Sequence, residues 1–140
     1  MKIEINYREY IDILGQKQVP FSVESDWFAG QCQIRTYSLE ELLGSKVRAL
    51  YQRKKGRDLF DLWLSITNAD ISCEKILHCF HVFINHVDCH VSKSEFMANM
   101  TQKMKDSGFR SDTTALIRPE LEFDIDVAWE VVRSELIERI

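Results

Sequence analysis

The stretch from residue 38 to 63 reads SLEELLGSKVRALYQRKKGRDLFDLW. Its first half places apolar residues at helical spacing. Ser38 and Glu41 form the pattern of a capping box, in which the backbone N–H of each residue donates to the side chain of the other. We therefore expect one helix from Ser38 to about Arg53 and a second helix that starts near Arg57.

Three further helices are predicted downstream of this pair. Their starts are marked by residue types that cap helices, at Ser72, Ser92 and Asp124. Ser92 and Glu95 have the spacing of another capping box. Glycine favours helix ends, so Gly56 is predicted to separate the first two helices and Gly108 to end the fourth. This part of the chain is therefore expected to hold about five helices.

The residues before this helical part alternate between apolar and polar side chains, which predicts strands. The apolar positions recur at Ile3, Ile5 and Tyr7, at Val19, Phe21 and Val23, and at Cys32 and Ile34. Turn-forming residues separate these runs, at Gly15, at Pro20 and at the Ser25-Asp26 pair. Two or three short paired strands are therefore expected.

The predicted fold class is α+β, mainly α, with a short strand-rich start. With 140 residues, 45% of them hydrophobic, the chain can bury one core but hardly two. We expect a single domain over residues 1–140, with a partial sheet over 1–37 and a helical part over 38–140. No export signal is visible and no apolar run approaches the ~20 residues that span a bilayer, so a cytoplasmic protein without a membrane span is expected.

The densest chemical signal is the charge pattern of residues 46–57, which we call the basic strip. The strip holds six cations and no acid, the cations being Lys46, Arg48, Arg53, Lys54, Lys55 and Arg57. Asp58 and Asp61 follow it, and a separation of three residues places both on one face of a helix. The two carboxylates are thus within reach of a shared cation or of the basic residues on the preceding helix.

A basic strip followed by two acids also has a purely structural interpretation. Basic stretches are commonly solvated faces, and an Arg–Asp pair at a helix start is commonly a salt bridge worth under ~1 kcal/mol when exposed. Charge alone does not separate that interpretation from an anion-binding site.

The same residues resemble the C-terminal half of the AbiEii/AbiGii toxin family of nucleotidyltransferases. That family carries a Lys on a helix beginning with an acidic-Leu-Leu run, followed by an Arg-Asp-x-x-Asp segment. In this sequence the elements stand as Glu41-Leu42-Leu43, Lys46, Ala49-Leu50 and Arg57-Asp58-Leu59-Phe60-Asp61-Leu62. The resemblance is close over about residues 31–66, whereas the terminal helices are similar only in number and amphipathic character.

The resemblance implies transfer of a nucleotidyl group from a nucleoside triphosphate to an acceptor, which in related toxins is a transfer RNA (tRNA). It makes Lys46 the triphosphate-binding cation. Asp58 and Asp61 would hold Lys46 in place or order water and metal around it, and Arg57 and Arg53 would assist the phosphates or the nucleic-acid backbone. Mg2+ is the implied cofactor, and an antitoxin protein is an implied partner.

The N-terminal part departs from the pattern of this family. Members of the superfamily begin with a Gly-Ser or Gly-Gly turn and an Asp-x-Asp pair on a strand, and no such combination stands at the right distance here. Gly44-Ser45 lies within the helix that carries Lys46, and Asp124-Ile125-Asp126 lies at the start of the last helix, so both are coincidences. We expect that the chain starts midway through the catalytic domain, as a truncated product, a domain or one piece of a split enzyme.

Glu4 is the remaining candidate for a catalytic or metal-binding carboxylate. The run Lys2-Ile3-Glu4-Ile5-Asn6 resembles the strand with the third carboxylate of the family, although an exposed strand acid explains Glu4 equally well. The metal-holding Asp-x-Asp pair of the family is missing, and the loss of a single electrostatic contributor of that kind costs roughly 100-fold or more in rate. Little or no turnover by this chain alone is therefore expected, with weak nucleotide or RNA binding through the cations.

A second class of function stays open at this point. The chain could be a helical interaction or oligomerisation module with no catalytic activity, in which the motif serves packing alone. In that case Lys46→Ala should leave partner binding intact. An exposed sheet edge would also favour pairing with a second chain, as a homodimer.

Two further groups of residues invite functional interpretation. The histidines and cysteines between residues 78 and 90 do not have metal-site spacing, because only His86 and His90 could share an ion and zinc needs three or four ligands. No metal site is predicted there. The tryptophans are predicted as core or half-buried anchors, and these are Trp27, Trp63 and Trp129.

Overall fold

The computed structural model describes residues 11–114, 116–118 and 121–140. The chain divides into two compact units, Met1–Ser38 and Leu39–Ile140. The predicted strand at Ile3, Ile5 and Tyr7 lies outside the described residues.

The first unit contains an antiparallel hairpin. Strand β1 spans Gln16–Ser25 and strand β2 spans Phe28–Tyr37. Phe21 lies opposite Cys32 in the register, so the alternating apolar residues of both strands share one face. The two strands predicted for this region from period-2 patterning are confirmed.

The chain turns at both ends of β1. Gly15 has a φ of +83°, a backbone region that favours glycine, and its N–H donates to Asp12 Oδ1 at 2.8 Å. Residues 26 and 27 form the turn between the strands. Pro20, predicted as a turn residue, instead lies within β1.

The hairpin leaves its large apolar side chains substantially exposed. Trp27 in the turn is 96% exposed, so the prediction that it anchors the core is wrong. A residue in a two-residue turn lies beyond the last cross-strand pair, and the hairpin itself therefore offers no surface that could bury the indole. Trp63 and Trp129 are partly buried against the core of the second unit, as predicted.

The second unit is helical, and its described part contains six α-helices and a short 3-10 helix. The helices are α1 (Leu39–Gln52), α2 (Gly56–Asn68), α3 (Cys73–Asn85), α4 (Lys93–Lys103), α5 (Ser107–Ser111) and α6 (Ile125–Glu135), followed by the 3-10 helix Ile137–Arg139. The fold is therefore α+β and mainly α, as predicted, with one short helix more than the sequence pattern indicated.

Side-chain caps fix the starts of the later helices. Ser92 and Glu95 form the predicted capping box at α4, and the Ser72 side chain accepts from the Lys75 N–H at α3. Asp124 accepts from two backbone N–H groups at the start of α6. Each cap satisfies backbone donors that have no partner within the helix.

Gly108 does not end the fourth helix, and that prediction is wrong. Helix α4 ends at Lys103, and Gly108 lies within α5, whose start is capped by Asp106. Gly56 separates α1 from α2 as expected, but as the first residue of α2 it also meets the main chain of α5. A Cβ at Gly56 would overlap the carbonyl oxygen of Phe109. The glycine therefore lets α5 pack against the start of α2.

Helix α1 lies at the centre of the unit and packs against α2, α3 and α4. Its apolar stripe of Leu43, Val47 and Leu50 is buried in one core with residues from the other helices. Gly44 allows the close approach to α3, because a Cβ there would lie 2.5 Å from Cys79 Cβ. This packing role explains Gly44 without a nucleotide-binding turn.

The described helices include no span that could cross a bilayer, since each is too short or too polar.

Candidate functional site

Helices α1 and α2 bring four of the predicted site residues into one ion-paired group. We call Lys46, Arg53, Asp58 and Asp61 the Lys46 cluster. Lys46 Nζ lies 2.6 Å from Asp61 Oδ2 and 3.4 Å from Asp58 Oδ1. The three-residue spacing of the two aspartates on α2 therefore does place both carboxylates at one ammonium.

Asp58 is the buried centre of the Lys46 cluster, with a side chain that is 0% exposed. Arg53 forms a bidentate pair with it, in which Nε donates to Oδ2 at 2.7 Å and Nη2 donates to Oδ1 at 2.6 Å. These hydrogen bonds to Asp58 raise the pKa of Arg53. A buried carboxylate is costly without partners, and two cations supply them here.

Arg57 does not join the cluster. Its guanidinium Nε lies 4.0 Å from Asp112 Oδ2, after the end of α5. Glu4, the candidate third carboxylate, lies outside the described residues. The structure thus brings together Lys46, Arg53, Asp58 and Asp61 and places Arg57 at a second ion pair.

Asp112 is a site-supporting residue that the sequence patterns did not identify. Helix α2 begins after Lys55, whose side chain makes no capping hydrogen bond. Asp112 takes over this role, because its Oδ2 accepts from the Arg57 N–H at 3.2 Å and its Oδ1 lies 3.6 Å from Lys55 Nζ. No local signal could reveal a cap supplied from 55 residues away along the chain.

The loss of this distant cap has a measurable consequence. Asp112→Ala should lower the free energy of unfolding by about 1 kcal/mol, the usual contribution of a helix N-cap. Urea unfolding followed by circular dichroism would measure the change, with exposed Asp70→Ala as the matched control. Equal midpoints for both variants would show that Asp112 does not cap α2.

The remaining cations of the basic strip also have partners within the second unit. Lys54 Nζ lies 2.5 Å from Asp106 Oδ2, and this contact lowers the pKa of Asp106. Arg48 lies over the ring of Phe83, with its Cζ 5.4 Å from the ring centroid. The strip is therefore partly compensated by nearby acids and a ring, while the side chains of its cations other than Arg48 are 35–54% exposed.

The Lys46 cluster does not by itself build a magnesium site. Both oxygens of Asp58 accept from Arg53, and Asp61 faces Lys46. Among the described residues, no three histidine, cysteine or acidic side chains are grouped to hold a metal ion. We therefore assign no chemical step to a metal held by these two aspartates.

The two histidines that could have shared an ion on one helix are His86 and His90. Helix α3 ends at Asn85, so these two residues do not lie on its surface.

Three concave surfaces of the described residues lie away from the Lys46 cluster. Two of them, of about 480 and 410 Å3, follow the hairpin, and one of about 300 Å3 borders α5 and α6. The cluster lines none of these three. The charges and hydrogen bonds of the cluster identify it as a candidate site.

A protein-family model described as "Nucleotidyl transferase AbiEii toxin, Type IV TA system" matches residues 1–133. The match extends well beyond the segment of about residues 31–66 in which the motifs are close. No curated protein and no solved structure matches the chain.

Proposed function

The chain belongs to the AbiEii nucleotidyl transferase toxin family, and from that membership we propose that it binds a nucleoside triphosphate at the Lys46 cluster. In this proposal Lys46 is the residue that contacts the phosphates. Arg53 and Asp58 hold it in place, and Asp61 is its partner in the free protein.

Lys46 pairs with one buried and one exposed aspartate, Asp58 and Asp61, and this difference in exposure is the observation that best supports the proposal. Asp58 is fully buried and bound to both cations, so it stays in place when a ligand arrives. The Lys46 and Asp61 side chains are 35% and 41% exposed. Exposed ion pairs are worth under ~1 kcal/mol, so a phosphate group can replace Asp61 at little cost.

The geometry of Arg53 supplies a second point of contact for phosphate. A guanidinium carries five N–H donors, and two of them are on Asp58, through Nε and Nη2. The remaining donors belong to a side chain that is 50% exposed. A phosphate oxygen at Lys46 would thus have further donors near it, without loss of the pair that Arg53 makes with Asp58.

Arg57 is not a primary phosphate contact in this proposal. Its pairing with Asp112 means that it contacts phosphate or a nucleic-acid backbone only if it leaves that carboxylate. We therefore assign the primary contact to Lys46 and treat Arg57 as secondary.

The reaction and its partners are proposals that depend on family membership. The acceptor we propose is a tRNA, and an antitoxin is the proposed protein partner. Mg2+ would arrive bound to the triphosphate, with phosphate oxygens as its ligands. Without the Asp-x-Asp pair of the family, we propose that turnover by this chain alone is weak or absent, with Glu4 as the remaining candidate carboxylate.

Calorimetric titration with each of the four ribonucleoside triphosphates in the presence of Mg2+ tests the proposed binding. Lys46→Ala should weaken binding by about 10- to 100-fold, because a hydrogen bond to a charged group contributes ~1.5–3 kcal/mol. Lys54→Ala is the matched control. It removes the same charge from the same strip, but its partner is Asp106.

Two outcomes of this titration would reject the proposal. One is an absence of binding heat for all four nucleotides with the unmodified chain. The other is an equal loss of affinity in Lys46→Ala and Lys54→Ala, which would indicate attraction by overall charge and no specific site.

The compensated basic strip supports a second function. Because the strip cations pair with acids or a ring in the same unit, the motif could serve packing in a helical interaction module. Under this alternative, Lys46→Ala leaves partner binding unchanged and nucleotide binding is absent. The same pair of titrations therefore distinguishes the two functions.

A further inference from the structure

Lys103 is a buried cation that the proposed binding does not use. It lies at the end of α4 and is only 8% exposed. Its Nζ donates to the main-chain oxygens of Leu50 and Tyr51, the second at 2.7 Å. Both acceptors belong to the last turn of α1.

The end of α1 needs such a donor. The last carbonyl groups of a helix have no partner within it, and the helix dipole favours a positive charge there. Helix α1 has no basic residue in its own last turn. Lys103 supplies the missing charge from another helix.

This arrangement is maintained against a desolvation cost. Burial lowers the pKa of Lys103 to about 8, and the charge of Asp58 opposes that shift. Lysine is almost never fully buried unless it is paired. The two carbonyls are therefore the contacts that retain the ammonium at this position.

The residues held by Lys103 lie directly before Arg53. The Arg53 N–H donates to the Ala49 oxygen at 2.9 Å, so the main chain at Arg53 still follows the end of α1. The Arg53 side chain is half-exposed and cannot be oriented by packing alone. Its approach to Asp58 must depend on the direction in which the chain leaves α1.

We propose that Lys103 is a positioning residue for the Lys46 cluster. Lys103 fixes the last carbonyl groups of α1 and thereby sets the direction of the main chain at Arg53. That direction in turn allows the bidentate pairing of Arg53 with Asp58. That pairing orients the buried carboxylate toward Lys46. The relevance of this role to nucleotide binding rests on the proposed function, whereas the role itself concerns the free protein.

The Nε–H group of Arg53 provides a direct readout in the free protein. Nitrogen-15 NMR of the unmodified chain should show an Arg53 Nε–H signal that exchanges slowly with water, assigned by its loss in Arg53→Lys. In Lys103→Met this signal should move to the position of exposed arginines and exchange about tenfold faster or more. Met100→Ala is the control, because it removes a fully buried side chain from the same helix.

The proposal is overturned if Lys103→Met leaves the Arg53 signal unchanged. It is also overturned if Met100→Ala changes the signal equally, since general loosening would then be the cause. Should Lys103→Met fail to fold, Lys103→Gln is to be measured and judged by the same criteria. Nucleotide is absent throughout, so failure to bind a triphosphate would reject the proposed function without affecting this result.

Discussion

Replacing Asp58 with alanine should lower the free energy of unfolding by about 3 kcal/mol. The side chain is fully buried and accepts charge-assisted hydrogen bonds from Arg53 and Lys46. Its removal leaves two neighbouring cations without the carboxylate between them and a small void in the packing of α1 against α2. Urea unfolding monitored by circular dichroism measures this loss.

Asp61→Ala is the matched control for Asp58→Ala. Asp61 lies one helical turn away on α2, contacts the same ammonium and is 41% exposed. Its loss should change the free energy of unfolding by less than about 1 kcal/mol, because water replaces the carboxylate. Similar losses for both variants would contradict the distinction between a fixed and an exchangeable partner of Lys46.

Gly44→Ala should destabilise the helical unit by about 2 kcal/mol. The added Cβ would lie 2.5 Å from Cys79 Cβ and 2.9 Å from the Ile76 oxygen, so α1 and α3 would have to separate. The intrinsic effect has the opposite sign, because alanine in a helix interior is favoured over glycine by roughly 0.5–1 kcal/mol. A loss of stability is therefore diagnostic of the close packing, and thermal and urea unfolding both measure it.

Ser45→Ala serves as the control for Gly44→Ala, since it changes the next residue of the same helix, which is only partly buried. It should leave the free energy of unfolding within about 0.5 kcal/mol of the unmodified chain. If Gly44→Ala proves as stable as Ser45→Ala, or more stable, that result would contradict the close contact between α1 and α3 at Gly44.

Much of the helical architecture can be read from local sequence. The predicted capping box at Ser92 and Glu95 and the cap at Ser72 mark helix starts that the structure confirms. These signals are local because a cap bonds a backbone group three residues away. The boundary between α1 and α2 was likewise predicted to within a residue or so.

The candidate site could be predicted only in part. The spacing of Asp58 and Asp61 predicts that both carboxylates are within reach of a shared cation or of the basic residues on the preceding helix, and the structure places both at Lys46. The supporting contacts of Lys103 and Asp112 were not predictable. Each joins residues more than 50 positions apart, and no local pattern reports such a separation.

Trp27 shows the limit of composition-based reasoning. Tryptophan is usually at least half-buried, and that tendency led to the wrong assignment. The turn position of Trp27 outweighs the residue type, because a two-residue turn has no cross-strand neighbour that could cover the ring. Burial in this region depends on tertiary structure that residue type does not report.

The central claim, that Lys46 contacts the phosphates of a bound nucleotide, is tested most directly by lysine footprinting of the unmodified chain. The modification rate of each lysine by an amine-reactive reagent is measured by mass spectrometry, with and without Mg2+ and a nucleoside triphosphate. Lys46 should be protected, whereas Lys54, which is 54% exposed and lies in the same strip, should react at the same rate in both samples. Unchanged reactivity of Lys46 under conditions in which nucleotide is bound would contradict the claim.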